Sequence, residues 1–169
     1  CKDTMAKYEP YEGEALPDMM QDNYEHNIYK NNHKYLETKI NHADFFETEE
    51  RIMCQGLNAT VYNSKGEITT TITSEKGEIN QKNKQIEFSG AVVIQSFENE
   101  TTIKTENLFL DYKQNKMYNS VPVTILKDNG SSLNASSMKA DIQTKNTTFS
   151  KMHIIYYYDT EEKNPTTND

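Results

Sequence analysis

Large apolar residues are scarce in this sequence. Leu, Ile, Val and Phe make up 31 of 169 residues, and the mean hydropathy is −0.90, a composition that borders on that of disordered chains. Basic residues are also in short supply: 18 against 26 acidic, for a net charge of −8, with Arg51 the sole arginine. That balance excludes the dense basic stripe by which proteins hold phosphate backbones, so no nucleic-acid partner is expected. No run of about 18 apolar residues occurs, so no segment is long and apolar enough to cross a membrane as a helix. The two cysteines, Cys1 and Cys54, allow one disulfide at most, and a bridge from residue 1 would staple little. Cys54 lies on an alternating run and is expected as a small buried apolar residue. Catalytic signatures are missing as well. His26, His33, His42 and His153 are scattered without metal-ligand spacing, and no nucleophile-elbow, Walker or dinucleotide fingerprint occurs. Glu47, Glu49 and Glu50 read as a solvated turn. Neither an enzyme nor a cofactor nor a metal is expected.

Against the thin apolar supply stand eleven Tyr, six Phe and an alternation of apolar with polar residues over most of the chain. Antiparallel strands need only one buried face, so such a chain can fold on few aliphatic residues. No stretch spaces apolar residues as a helix would for three turns. Residues 35–50 are expected as strand, loop, strand. Residues 1–22, with Pro10, Gly13 and Pro17, read as a flexible tether, residues 23–158 as one β domain, and residues 159–169 as a disordered polar tail. The opening Cys1-Lys2-Asp3-Thr4 is similar to a mature bacterial lipoprotein, in which acyl chains on the cysteine dock the protein on a membrane. The other reading is a chain boundary that happens to fall on cysteine.

An internal repeat organises the body. Residues 80–94, 111–125 and 141–155 align without gaps at offsets of 31 and 30. Each starts on Asn or Asp in a polar turn and rises into a strand that ends on Ile. Another strand precedes each copy. A two-strand unit of this kind, stacked several times, builds either a jelly roll or a β-solenoid.

Strand parity assigns the faces. Ile86, Phe88, Gly90, Val92 and Ile94 share one side, opposite Glu87. Met117, Val121, Val123 and Ile125 line up in the second copy. Leu108, Leu110 and Tyr112 form a stripe of the strand between, and Ile68 and Ile72 another, with Thr69, Thr71 and Thr73 outward. The candidate set is Ile72, Ile86, Phe88, Val92, Ile94, Leu108, Leu110, Met117, Val123, Ile125 and Phe149. These residues make either an ordinary sandwich core or an apolar trough wide enough for acyl chains.

Between Ile72 and Ile125 the sequence resembles the lipopolysaccharide-export component LptC and the related OstA-like (LptA) domain. The resemblance rests on Ile86-Glu-Phe-Ser-Gly-Ala-Val-Val-Ile, Thr101-Thr-Ile-Lys-Thr-Glu-Asn-Leu-Phe-Leu-Asp and Met117-Tyr-Asn-Ser-Val-Pro-Val-Thr-Ile. Gly90, Thr105, Leu108, Asp111, Pro122 and Val123 fall on the family's recurrent positions. The resemblance spans roughly residues 24–158. It implies an all-β fold, a twisted open antiparallel β-jelly roll, and a non-enzymatic role in the periplasm. In that role lipopolysaccharide or a related glycolipid is accepted from an inner-membrane ABC transporter permease and passed to an LptA-like bridge protein. Partners would join by edge-strand addition, here through the last strand with His153, Ile155 and Tyr157. Cys1 would replace the family's membrane helix as the anchor, at the inner membrane. Because protein and lipid are both acidic, the grip is expected on the acyl chains and not on the headgroup. Two rival readings are a cell-envelope scaffold or adhesin, and a closed lipocalin-like barrel.

Overall fold

The polar turns that punctuate the sequence share one backbone device. Glu50, Lys84, Glu100 and Asn115 each close a four-residue turn with φ of 53°, 55°, 48° and 58°. The left-handed residue turns its carbonyl toward the next turn in the stack. Gln81 N–H donates to Glu50 O (2.9 Å), Tyr112 N–H to Lys84 O (3.1 Å), Asp128 N–H to Glu100 O (3.3 Å) and Ile142 N–H to Asn115 O (2.8 Å). Turns therefore stack in two columns, one at each end of the strands. The 31- and 30-residue offsets of the repeat step from Lys84 to Asn115 to Lys145, and Lys145 also has positive φ, at 63°.

The protein, seen in a computed structural model, is described over residues 16–143 and 145–155. Twelve strands form one antiparallel sheet: β1 (Met19–Lys30), β2 (His33–Phe46), β3 (Arg51–Tyr62), β4 (Ile68–Asn80), β5 (Gln85–Ser96), β6 (Thr101–Asp111), β7 (Lys116–Tyr118), β8 (Val123–Lys127), β9 (Ser132–Ala135), β10 (Ser137–Asp141), β11 (Thr147–Ser150) and β12 (His153–Ile155). The described residues contain no helix. Neighbours in sequence pair as hairpins from β1 to β6. There the sheet forks, with one end of β6 pairing β7 and the other pairing β8. One branch continues as β7-β10-β11 and the other as β8-β9-β12. This is the twisted open β-jelly roll, not a solenoid.

The fork is the last part of a seam that crosses every strand. Asn23, Asn41, Gly56, Glu75, Gly90-Ala91 and Glu106 are skipped in the pairing registers of β1 to β6. The interruption widens to residues 119–122 between β7 and β8, to Ser136, and to residues 151–152. From β1 to β4 one residue on each strand drops out of the ladder with the register kept, whereas Gly90-Ala91 of β5 is a bulge that shifts the register against both β4 and β6 and increases the local bend. Gly56 and Gly90 have φ of 68° and 77°, and a Cβ on either would strike Asn41 or Glu75 of the neighbouring strand. Asn119 ties the seam together, donating from Nδ2 to Thr105 Oγ1 (3.1 Å) and Asn107 O (3.0 Å) while its Oδ1 accepts from Met138 N–H (2.9 Å). Pro122 stands in the gap where no ladder donor is needed, and its carbonyl accepts from Thr105 Oγ1 (2.9 Å).

The seam divides the sheet into a β7 leaf and a β8 leaf. Inward residues of both leaves form one buried cluster, running from Leu36 and Ile40 through Phe88 to Leu110 and Met138. Lys30 of the β8 leaf donates to Asn115 of the β7 leaf, and Lys145 meets Glu98 at 2.9 Å. The leaves thus face each other.

Three expectations change. Residues 35–50 hold no central loop, because β2 runs unbroken to Phe46. Its polar stretch stays in the strand because His42 is sandwiched between carboxylates. Ile68 is 49% exposed and does not share the burial of Ile72, since a register shift at Val61/Tyr62 sets it opposite Tyr62 at the strand end. β1 begins at Met19, inside the segment read as tether. Cys54 is buried as expected, its thiol pushed up to about 12 by burial. Cys1 and Tyr157, and with them the anchor and tail, lie outside the described residues.

The His42 clasp fastens edge strand β1 beside the seam. His42 Nδ1 is 2.6 Å from Asp22 Oδ1 on β1, and Nε2 is 2.9 Å from the buried Asp44. Only the imidazolium can donate from both nitrogens. The hydrogen bond to Asp22, ahead of the bond to Asp44, raises the His42 pKa.

Two outcomes follow for stability. Phe88 is fully buried, so Phe88→Ala should cost about 3–5 kcal/mol in urea unfolding. The clasp's stabilisation is fully present below the unfolded-state histidine pKa of about 6.5 and is lost as pH rises through the raised folded-state value. His26, which burial pushes down, titrates in the opposite sense. The stability difference between wild type and His42→Gln should therefore shrink from pH 6.5 upward, and a difference that grows over that range would refute the clasp.

Candidate functional site

Where the leaves part at the open end, beside the strands interrupted by the seam, they enclose a cavity of about 1000 Å³. Its apolar wall comes from alternating positions of strands in both leaves. Ile94, Ile103, Ile125 and Leu133 stand on β5, β6, β8 and β9, while Met117, Met138, Ala140 and Phe149 stand on β7, β10 and β11. Ile142 and Met152 extend the wall beyond the strands.

Of the eleven candidate trough residues, Ile94, Met117, Ile125 and Phe149 line this cavity. Ile72, Ile86, Phe88, Val92, Leu108, Leu110 and Val123 pack beneath it in the closed part of the core. Sequence reasoning missed Ile103, Leu133, Met138 and Ala140. Ile103 and Leu108 lie on one strand with opposite parity, yet both are buried, because β6 changes phase at Glu106. For Met138 and Ala140 an alternation signal was present in the sequence.

The rim is polar. The chain reverses at Asn31-Asn32, both with positive φ (49° and 62°), a two-residue hairpin turn that sets Lys30 opposite His33. Lys30, Lys34, Lys65, Lys127 and Lys145 reach the cavity together with Glu67, Glu98 and Asp141. The mouth is therefore richer in cations than in carboxylates on a chain of net charge −8. The overall balance, from which headgroup indifference was expected, does not describe this surface. Lys34 is paired with Glu37 (2.8 Å) and Lys145 with Glu98 (2.9 Å). Lys30 Nζ sits 4.0 Å above the Tyr35 ring. Burial holds the Lys30 ammonium below the usual lysine range, and burial, then Asp111 and Asp141, lift the Tyr35 phenol above its own. No group of three or more His, Cys, Asp or Glu among the described residues is arranged to hold a metal.

The edges are β1 on one side and β11 and β12 on the other. β12 pairs β9 through His153↔Asn134 and Ile155↔Ser132, and His153 is exposed.

A wall of this kind should take up hydrophobic molecules. Leu133 is only partly buried and faces the cavity. Leu133→Trp should reduce uptake of an environment-sensitive hydrophobic dye severalfold while leaving the thermal midpoint within a few degrees of wild type, and undiminished uptake would place the dye elsewhere.

Comparison with known proteins agrees with the fold. The structure is similar to the crystal structure of LptH from Pseudomonas aeruginosa, the LptA-homologous periplasmic component of the conserved lipopolysaccharide transport device. The TM-score is 0.57 at 9% identity, covering 73% of this chain and 95% of that one. No curated protein matches the chain significantly. The family of LptC-related lipopolysaccharide-assembly proteins matches residues 10–157. With nearly the whole β domain inside that match, the chain belongs to the LptC-related family.

Proposed function

We propose that this protein is a periplasmic bridge component that holds the acyl chains of lipopolysaccharide, or a related glycolipid, in the cavity between its leaves. The observation that carries the reading is a cavity of about 1000 Å³ with an apolar wall beneath a polar rim, within an LptC-related chain. Each acyl methylene taken from water is worth about 0.8 kcal/mol, so aliphatic walls suffice for the chains, and no chemistry is performed on them. The fold likeness to LptH supports a place in a transport device. Lipid would arrive from an inner-membrane ABC transporter permease and leave to an LptA-like protein.

The sheet edges support the handover. Among the described residues β1 and β12 each have one free edge, and strand addition at such edges would continue the sheet into a neighbour. His153, Ile155 and Tyr157 belong to the segment assigned to the outgoing partner. Acylation of Cys1 would hold the bridge at the inner membrane.

Photo-crosslinking tests the reading. A photoreactive residue at Ile94, Ile125 or Phe149 should capture a multiacyl lipid when the transporter hydrolyses ATP, whereas one at the outward Thr71 or Glu87 should not. Equal capture on both faces, or capture on neither, would leave a cell-envelope scaffold as the better account.

A further inference from the structure

Two groups in the cavity wall lack the partner that an anion would supply. Lys30 is half-buried, and its recorded partners are neutral: the side-chain oxygen of Asn115 and the face of the Tyr35 ring. Among the described residues no carboxylate lies within ion-pair distance of Lys30, although Asp111 acts on it from further away. A half-buried ammonium whose nearest carboxylate lies beyond ion-pair distance is only partly compensated. The Tyr35 hydroxyl is shielded from solvent and forms no hydrogen bond among the described residues, which is also unfavourable for a buried donor. Both residues border the same cavity, with Lys34, Lys65 and Lys127 further round its mouth. Lys65 and Lys127 form no ion pair among the described residues.

Resting on the reading of the cavity as an acyl-chain site, we infer that Lys30 and Tyr35 seat the anionic headgroup, a phosphate or carboxylate, of the amphiphile whose chains occupy the cavity. The ammonium donates to the anion from the β1–β2 turn, and the phenol hydroxyl becomes its second donor once Lys30 turns from the ring toward the ligand. Lys65 and Lys127 raise the local potential and steer the headgroup inward, Lys34 and Lys145 being paired with Glu37 and Glu98. Glu67 and Asp141 at the mouth, and Asp111, which acts on both Lys30 and Tyr35, set the opposing field. The seat stands at the end of the cavity where the two leaves touch, so a bound headgroup lies at that corner and its chains run along the apolar wall.

Three titrations of the full chain, monitored by calorimetry below micelle-forming concentrations, test this: dodecyl phosphate, dodecyl maltoside and inorganic phosphate. Dodecyl phosphate should bind about tenfold more tightly than the maltoside, as one charge-assisted hydrogen bond provides, and added salt should narrow the gap. The ratio should collapse toward one in Lys30→Gln and persist in Lys30→Arg. Tyr35→Phe should lower the ratio without lowering the unfolding midpoint, because it removes an unpaired hydroxyl. Equal binding of both amphiphiles, unaltered by Lys30→Gln, would overturn the headgroup seat and leave the cavity reading intact. Binding of inorganic phosphate as tight as that of dodecyl phosphate would overturn it in favour of a free-anion site. If neither amphiphile binds, the cavity reading itself fails.

Discussion

A single sheet with one apolar face can hide that face from water only by folding against itself. Everything else in this structure depends on that constraint. Strands of 11–14 residues are long enough to contribute to two leaves, and an interruption of the ladder in each, a true bulge in β5, provides the bend. Because the interruptions in adjacent strands fall beside one another, the bend is a line and not a set of local kinks. Asn41 against Gly56, Glu75 against Gly90, and Glu106 near the Ala91 N–H (3.4 Å) show how the line is kept. A side chain from one strand covers the exposed backbone of the next.

This design explains how so few aliphatic residues can suffice. Each inward position is buried by a residue of the facing leaf, so one layer of side chains serves two surfaces. The layer becomes incomplete beside the interrupted strands β7 to β12, and the cavity is what remains. Asn119 at the seam is fully matched within the protein, whereas at the cavity corner Lys30 meets only neutral groups and the Tyr35 hydroxyl has no partner among the described residues.

Parity within short runs was readable from sequence. Ile86, Phe88, Val92 and Ile94 share a face as the alternation requires, since β5 places Gly90 and Ala91 together in its bulge and so keeps its phase. β3, β4 and β6 change phase once. In β3, Ile52 and Cys54 are buried before Gly56 and Leu57, Ala59 and Val61 after it, so alternation counted from one end fails at the other. The repeat was readable for a firmer reason: its offsets mark left-handed turn residues, and the serines Ser89, Ser120 and Ser150 stand beside the seam in all three copies. The span through His42 and Asp44 looked like a loop because its polarity is local, while the partner that neutralises it, Asp22, is on another strand. The cationic mouth was invisible for the same reason. Lys30, Lys34, Lys65, Lys127 and Lys145 are dispersed along the chain and are gathered only by the turns.

The interruptions also distribute stiffness. β1 to β6 pass through both leaves without losing their identity as strands, so any separation of the leaves on that side must bend six continuous backbones and their ladders. β7 and β8, β9 and β10, and β11 and β12 are instead joined by short links outside the strands, at residues 119–122, 136 and 151–152, held by single hydrogen bonds such as Asn119 N–H to Met138 O and Ser136 N–H to Ser150 O and not by a continuous ladder. Resistance to bending is lowest where the ladder is broken, and β7 to β11 line the cavity beside the continuous strands. The molecule resembles a clothes-peg with a rigid spring side and a more compliant mouth. Bulkier contents would be accommodated at those three links before the core is disturbed.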